Sequence, residues 1–268
     1  MRLKMVLLLV FFAAEFAVFG CASNNLRDLS ILQQLAEQGN ADAQVSLGAM
    51  YQKGLGVAKD DRQAVAWYQK AADQGYAMAQ YNLGQMYRTG LGVVQDDRQA
   101  AAWYQKAADQ GYAEAQTNLG GMYASGLGVA QDDRQAVAWY QKAADQGIAM
   151  AQYNLGVMYK DGRGVDHDDN QAAAWFQKAA SQNYGGAQLM LGAMYETGRG
   201  VAQDYVEAYA WYLLAVANGD GVATGRRELA IRAGAALKKK MAPEQIAAGQ
   251  QRAKALQAGF VHKQTSKP

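Results

Sequence analysis

A phrase of the form A-Q-x-x-L-G-x-M-Y-x-x-G-x-G-V-x-x-D recurs five times along this chain at a constant spacing of 36 residues. Each copy is followed by A-x-x-W and a second aromatic residue. All five tryptophans, Trp67, Trp103, Trp139, Trp175 and Trp211, fall on that grid, as do Leu47, Leu83, Leu119, Leu155 and Leu191. A unit of this length holds two helices at most and cannot bury its apolar face alone. The units must therefore stack, and the core is built between neighbours.

Both halves of each unit carry a helical stripe. In the first copy Ala43, Leu47, Met50 and Tyr51 stand at i, i+4, i+7 and i+8, and Ala64, Trp67, Tyr68 and Ala71 repeat the pattern. The spacing predicts a helix A over residues 41–53 and a helix B over 61–74. Gly54 follows the last periodic residue of helix A, where a left-handed conformation ends a helix, and Asp60 is placed to cap helix B. Gly75, Gly111, Gly147 and Gly219 stop helix B in the same way, with Asn183 as the one substitute.

The combination of L-G-x-M-Y, the G-x-G-V loop and W-Y-x-K-A-A-x-Q-G resembles the Sel1-like repeat, a tetratricopeptide variant with a longer inter-helix loop. The resemblance implies an all-α fold: a right-handed α-solenoid of five helix-turn-helix repeats at 40–75, 76–111, 112–147, 148–183 and 184–219. Residues 24–39 read as the second helix of an incomplete leading repeat. Residues 220–260 read as a C-terminal capping helix pair, with a helix start at Pro243-Glu244, and 261–268 as a disordered tail. The last repeat departs from the others at Tyr205, Leu213, Leu214 and Val216 because its outer face meets something other than a repeat. On this view Trp211, with one repeat neighbour plus the terminal helices, tolerates truncation better than Trp139.

The first 20 residues have the layout of an export signal: Arg2 and Lys4, an apolar run over 5–14, then Val18-Phe19-Gly20-Cys21. The last four resemble the lipobox of bacterial lipoproteins, which implies acylation of Cys21 and a lipid-anchored, periplasm-facing protein of the outer membrane. Plain cleavage near Ala22 is one alternative, and an uncleaved membrane anchor is another, disfavoured because Glu15 interrupts a run already short of the ~20 apolar residues a spanning helix needs. Cys21 is the only cysteine, so no disulfide framework exists. The paired cysteines of the cysteine-rich Sel1 branch, to which β-lactam binding and hydrolysis are attributed, are missing. Charge is split along the chain: residues 21–219 hold 14 basic and 20 acidic side chains, net −6, and 220–268 hold 10 and 3, net +7. The basic end, with Arg226, Arg227, Arg232, Lys238, Lys239, Lys240, Arg252 and Lys254, is expected to attract an anionic surface.

No residue pattern points to catalysis, to a metal or to a cofactor. The paired aspartates Asp60-Asp61, Asp96-Asp97, Asp132-Asp133 and Asp168-Asp169 recur once per unit at a helix start and read as caps. His167 and His262 are isolated, and nucleic acid is not expected as a partner. Function is expected where the copies differ. Helix A varies at Asp42/Met78/Glu114/Met150/Gly186, at Val45/Tyr81/Thr117/Tyr153/Leu189, at Ala49/Gln85/Gly121/Val157/Ala193 and at Gln52/Arg88/Ala124/Lys160/Glu196. These positions form one stripe, which by the tetratricopeptide resemblance lines a concave groove. Met78, Tyr81, Gln85, Arg88, Glu114, Thr117, Met150, Tyr153, Val157, Lys160, Leu189 and Glu196 are the candidates for holding an unidentified protein or peptide. The expected function is a non-enzymatic protein-interaction scaffold. The alternatives are a polysaccharide- or cell-wall-binding structural protein, or a β-lactam-binding hydrolase.

Overall fold

The computed structural model describes residues 22–218 and 224–265. The export-signal segment, Cys21, Gly219 and residues 266–268 lie outside the described residues. A leading helix α1 (Ala22–Glu37) precedes five helix pairs. These are α2 (Ala41–Lys53) with α3 (Asp61–Asp73), α4 (Ala77–Thr89) with α5 (Asp97–Asp109), and α6 (Ala113–Ser125) with α7 (Asp133–Asp145). There follow α8 (Ala149–Asp161) with α9 (Asp169–Ala180), and α10 (Gly185–Thr197) with α11 (Tyr205–Ala217). Two further helices close the chain, α12 (Thr224–Lys238) and α13 (Pro243–Thr265). The fold is all-α and of the solenoid class.

The helix ends are made as the sequence requires. Asp96 Oδ1 accepts the amides of Arg98 and Gln99 at 2.9 and 3.0 Å, and Asp60, Asp132 and Asp204 do the same at their own helices. Each cap satisfies donors that the helix cannot, contributing about 1 kcal/mol. Gly54, Gly90, Gly126, Gly162 and Gly198 end the A helices with φ between 65° and 72°, and Asn183 takes φ 64° where its counterparts are glycine.

The chain divides into two compact units, residues 1–131 and 132–268. In the first, Leu32, Ala36, Ala43 and Leu47 join α1 to α2, and Val45, Tyr68, Ala79, Leu83 and Met86 fill the next layer. A Cβ on Gly84 would come within 2.7 Å of the Tyr104 ring, and one on Gly48 within 2.6 Å of Tyr68. The glycines after Leu47 and Leu83 therefore let helix B press its aromatic side chain onto the backbone of helix A. The buried glutamine of each A-Q pair bonds a carbonyl of the preceding helix B and so ties neighbouring helices together. Gln80 Nε2 donates to Ala72 O at 3.3 Å, and its Oε1 accepts from Gln110 at 2.7 Å. Gln44 makes the matching pair of bonds to Ala36 O and Gln74.

The second unit holds a larger core in which Phe176, Ala187, Leu191 and Met194 meet Trp211, Leu214, Ala253 and Phe260. Both terminal helices pack on α11. Ala230, Leu237 and Met241 lie against Tyr209, Tyr212 and Ala215, and Ala253 and Phe260 lie against Trp211 and Leu214. Tyr205, Leu213 and Val216 sit at the edge of the α12 layer, which accounts for their departure from the repeat. Trp211 is 1% exposed and stacks on Phe260 at 6.1 Å. The terminal helices thus bury it as a repeat neighbour would, and the tolerance expected of it is withdrawn. In Trp67, Trp103, Trp139 and Trp175 the ring is covered by the lysine three residues on; Leu214 replaces that lysine where Phe260 takes over. Helix α13 runs to Thr265, past the boundary expected at 260 and through Gly259, with Phe260 anchored on Trp211.

Candidate interaction face

The variable stripe divides into side chains that remain open and side chains that hold the helices together. In the first unit Tyr81 stands between two other rings, 5.8 Å from Tyr104 and 5.1 Å from Tyr112. Gln85 links three groups: its Nε2 donates to Tyr81 Oη at 2.7 Å, and its Oε1 accepts from Tyr104 Oη at 3.0 Å and from Arg88 Nη2 at 3.1 Å. Gln52, Tyr81, Asn82, Gln85, Thr89 and Leu91 line a depression of about 270 Å³ between α2 and α4. Glu114 and Arg88 are exposed, and Met78 is half-buried at the edge of the core. Thr117 is 2% exposed and donates its hydroxyl to Ala113 O at 2.9 Å, so it is core and not a lining residue.

In the second unit Tyr153 occupies the same place, 5.7 Å from Phe176 and 5.1 Å from Tyr184. Arg226 from α12 lies over its ring at 5.4 Å. Met150 is exposed, at 42%. Val157 packs at the core edge, and Lys160 pairs with Asp161 at 2.5 Å. Leu189 is 4% exposed, inside the layer formed with Tyr209 and Tyr212; the packing of α12 on α11 buries it, so it too leaves the list of lining residues. Glu196 accepts from Tyr212 Oη at 2.9 Å and from Lys240 Nζ at 3.0 Å, which commits its carboxylate to holding the C-terminal end.

A pairing rule runs through these contacts that the sequence reading did not find. In three repeats the helix-B tyrosine donates its hydroxyl to the variable stripe, Tyr68 to Gln52 at 2.9 Å, Tyr104 to Gln85 and Tyr212 to Glu196, whereas Tyr140 uses Asn154, which lies off the stripe. Where helix B carries Phe176 instead, the stripe carries Val157. Part of the variation between units therefore answers a hydroxyl inside the fold, because a buried polar group without a partner costs about 1–3 kcal/mol. Gln52 and Glu196 stand at one stripe position and Gln85 at the one a turn earlier, so aligning the copies position by position does not give the signal, and only the fold does. Leu91 was missed for another reason: it is a loop residue, common to the first three repeats, and only the fold turns it toward Tyr81.

Four tyrosines of the A–B framework are held neutral. Burial pushes the Tyr104 and Tyr140 phenols up to about 12, and burial with the nearby Glu114 carboxylate does the same to Tyr112. Tyr76 reaches about 12 chiefly through its hydrogen bond to Asp42. At the loop before α9, Asp168 caps the helix through Gln171 N at 3.0 Å, and His167 Nδ1 lies 2.7 Å from Lys160 O with Nε2 3.4 Å from Asp169. Arg163 grips Asp133 through two bonds of 3.1 and 2.6 Å. These charged groups are engaged in closing loops onto helix starts.

The Sel1 repeat family model matches residues 41–76, 77–112, 113–148, 149–184 and 186–220. Among solved structures, a Sel1 repeat protein from Oxalobacter formigenes is 36% identical with a TM-score of 0.69, the match covering 74% of this chain and 81% of that one. The protective antigen c5321 of uropathogenic Escherichia coli, which displays an SLR fold, is 33% identical with a TM-score of 0.81. That match covers 98% of this chain and 55% of c5321, so the present chain spans about half its length. The immunity protein Pa5087 from Pseudomonas aeruginosa, at 23% identity and a TM-score of 0.53, shares the fold. No curated protein matches the sequence.

Proposed function

Because the chain belongs to the Sel1 repeat family, we propose that it is a non-enzymatic scaffold that presents the exposed residues of its A helices to a partner protein or peptide. Sel1 repeat proteins are generally interaction scaffolds and generally not enzymes. The observation that carries the reading is the contrast between a fixed framework and a variable face. Caps, glutamine ties and glycine–aromatic contacts recur from repeat to repeat, while the open position on the A helices changes from Glu114 to Met150. Side chains that neither pack nor cap are free to be selected for a ligand.

The export-signal layout and the residues before Cys21 support a lipid-anchored protein of the cell envelope, facing the periplasm. The basic C-terminal end supports contact with an anionic surface: among the described residues Lys238, Lys239 and Lys254 have no acidic partner, whereas Lys240 and Arg252 pair with Glu196 and Glu207. The scaffold reading is tested by placing a photo-crosslinking amino acid at Glu114, at Met150 and, as a control, at exposed Ala102 on α5. A shared adduct from the first two positions and none from the third is the expected result; adducts from the control alone refute it. Metabolic labelling with a fatty-acid analogue, abolished by Cys21→Ser, tests the anchor, and an unlabelled wild type refutes it.

A further inference from the structure

The second unit already binds a cation on its variable stripe, and the cation comes from the chain itself. The Arg226 guanidinium lies over Tyr153, 5.4 Å from the ring centroid, and Tyr153 is paired with Tyr184 at 5.1 Å and 41°. Gly186 stands beside it: a Cβ there would be 3.1 Å from Arg226 Nη1, 3.1 Å from the Tyr184 ring and 3.4 Å from the Tyr153 ring, contacts that a shift of a few tenths of an ångström by the flexible arginine relieves.

Two repeats earlier the first unit builds the same cradle. Tyr81 is paired with Tyr112 at 5.1 Å and 41°, with Tyr104 where Phe176 stands in the other unit. Among the described residues no cation lies over Tyr81 or Tyr112. The counterpart of Gly186 is Glu114, which is exposed. Its Cβ thus occupies the spot that borders the guanidinium in the second unit. Arg88 is not the missing ligand, since its Nε and Nη2 are turned to Gln85 Oε1 at 3.3 and 3.1 Å.

We propose that Tyr81, Tyr112 and Glu114 form a receptor for an arginine side chain presented by the partner. The two rings offer the negative faces on which a planar, weakly hydrated guanidinium stacks, and the carboxylate adds a charge-assisted hydrogen bond. The difference between the twin cradles follows from how each is filled. Arg226 is tethered in the same chain and loses little freedom on docking, so a glycine suffices beside it. An arginine arriving from another molecule pays the full cost of association, and the first unit supplies the acid that offsets it. This inference rests on the scaffold reading and names the chemistry of its ligand.

The probe is a fluorescent peptide of alternating glycine and arginine, with lysine and citrulline versions, titrated against the full chain by anisotropy. The arginine peptide is expected to bind, and the citrulline peptide, which keeps the shape and loses the charge, about tenfold more weakly or worse. Glu114→Gln, an exposed substitution, is expected to weaken the arginine peptide about five- to tenfold, and Tyr112→Leu to abolish a specific signal. Asp109→Asn, an exposed acid on α5, is expected to leave affinity unchanged, which separates the cradle from general attraction to an acidic surface. Arg226→Ala, which vacates the twin cradle, is expected to add a second, weaker site. Equal binding of the citrulline peptide, equal losses in Glu114→Gln and Asp109→Asn, or no binding of the arginine peptide overturns the receptor. If crosslinking at Glu114 and Met150 still captures a partner in that case, the scaffold stands and only the arginine assignment falls; if crosslinking fails as well, both fall.

Discussion

Replacing Phe176 with tyrosine adds one hydroxyl to a side chain that is completely buried, and the neighbouring copies show what that hydroxyl needs. Tyr104 donates to Gln85 at 3.0 Å and also interacts with Arg88 and Asn118. The corresponding residues around Phe176 are Val157, Lys160 and Met190, and Lys160 is held by Asp161. The added hydroxyl therefore loses its water and finds no acceptor, at a cost of about 1–3 kcal/mol. Val157→Gln alone places a half-buried amide at the edge of the core and costs about 1 kcal/mol or less. Made together, the two changes rebuild the Tyr104–Gln85 pair, so the double variant recovers most of the loss, with a coupling of about 1–2 kcal/mol. Urea denaturation midpoints of the four proteins, followed by circular dichroism, measure the cycle. Strict additivity of the two single effects, or a Phe176→Tyr protein as stable as the parent, refutes the claim that this stripe position is chosen to answer the helix-B hydroxyl.

Gly84→Ala is expected to cost about 1–3 kcal/mol by overpacking, because the new Cβ would lie 2.7 Å from the Tyr104 ring; combining it with Tyr104→Ala removes that clash, and a larger loss in the double variant than the sum contradicts it. Trp211→Ala is expected to cost about 3–5 kcal/mol, since the side chain is enclosed by Phe260 and Leu214, and a loss well below that of Trp139→Ala in denaturant shows that the terminal helices do not act as a repeat neighbour. Stability should also fall in alkali. Tyr104 and Tyr140 ionise near 12 in the fold, raised by burial from an ordinary 10, so the neutral form is favoured by folding. That contribution is complete below about pH 10 and is lost as pH rises through about 12. Tyrosinate absorbance that appears together with unfolding is the expected observation; titration of every tyrosine near pH 10 with the helices intact contradicts it.

The 36-residue period determined the helix pairs, their caps and their stops, because those depend on residues close in the chain: Asp60 bonds amides two and three positions away, and Gly54 needs only a positive φ. Spacing likewise placed Tyr81 and Tyr153 on one stripe. It could not divide that stripe into open and buried members. Thr117 and Leu189 went to the core, Glu196 went to Tyr212 and Lys240, and Tyr153 received Arg226. For Leu189, Glu196 and Tyr153 the outcome was decided by a side chain from another helix. A helical stripe is about 100° wide, and where along it water stops depends on how closely the next helix approaches. That approach is set by pairs such as Gly84 against Tyr104 and by α12 lying on α11. These are contacts between different helices, whose closeness the spacing of residues along one helix does not encode.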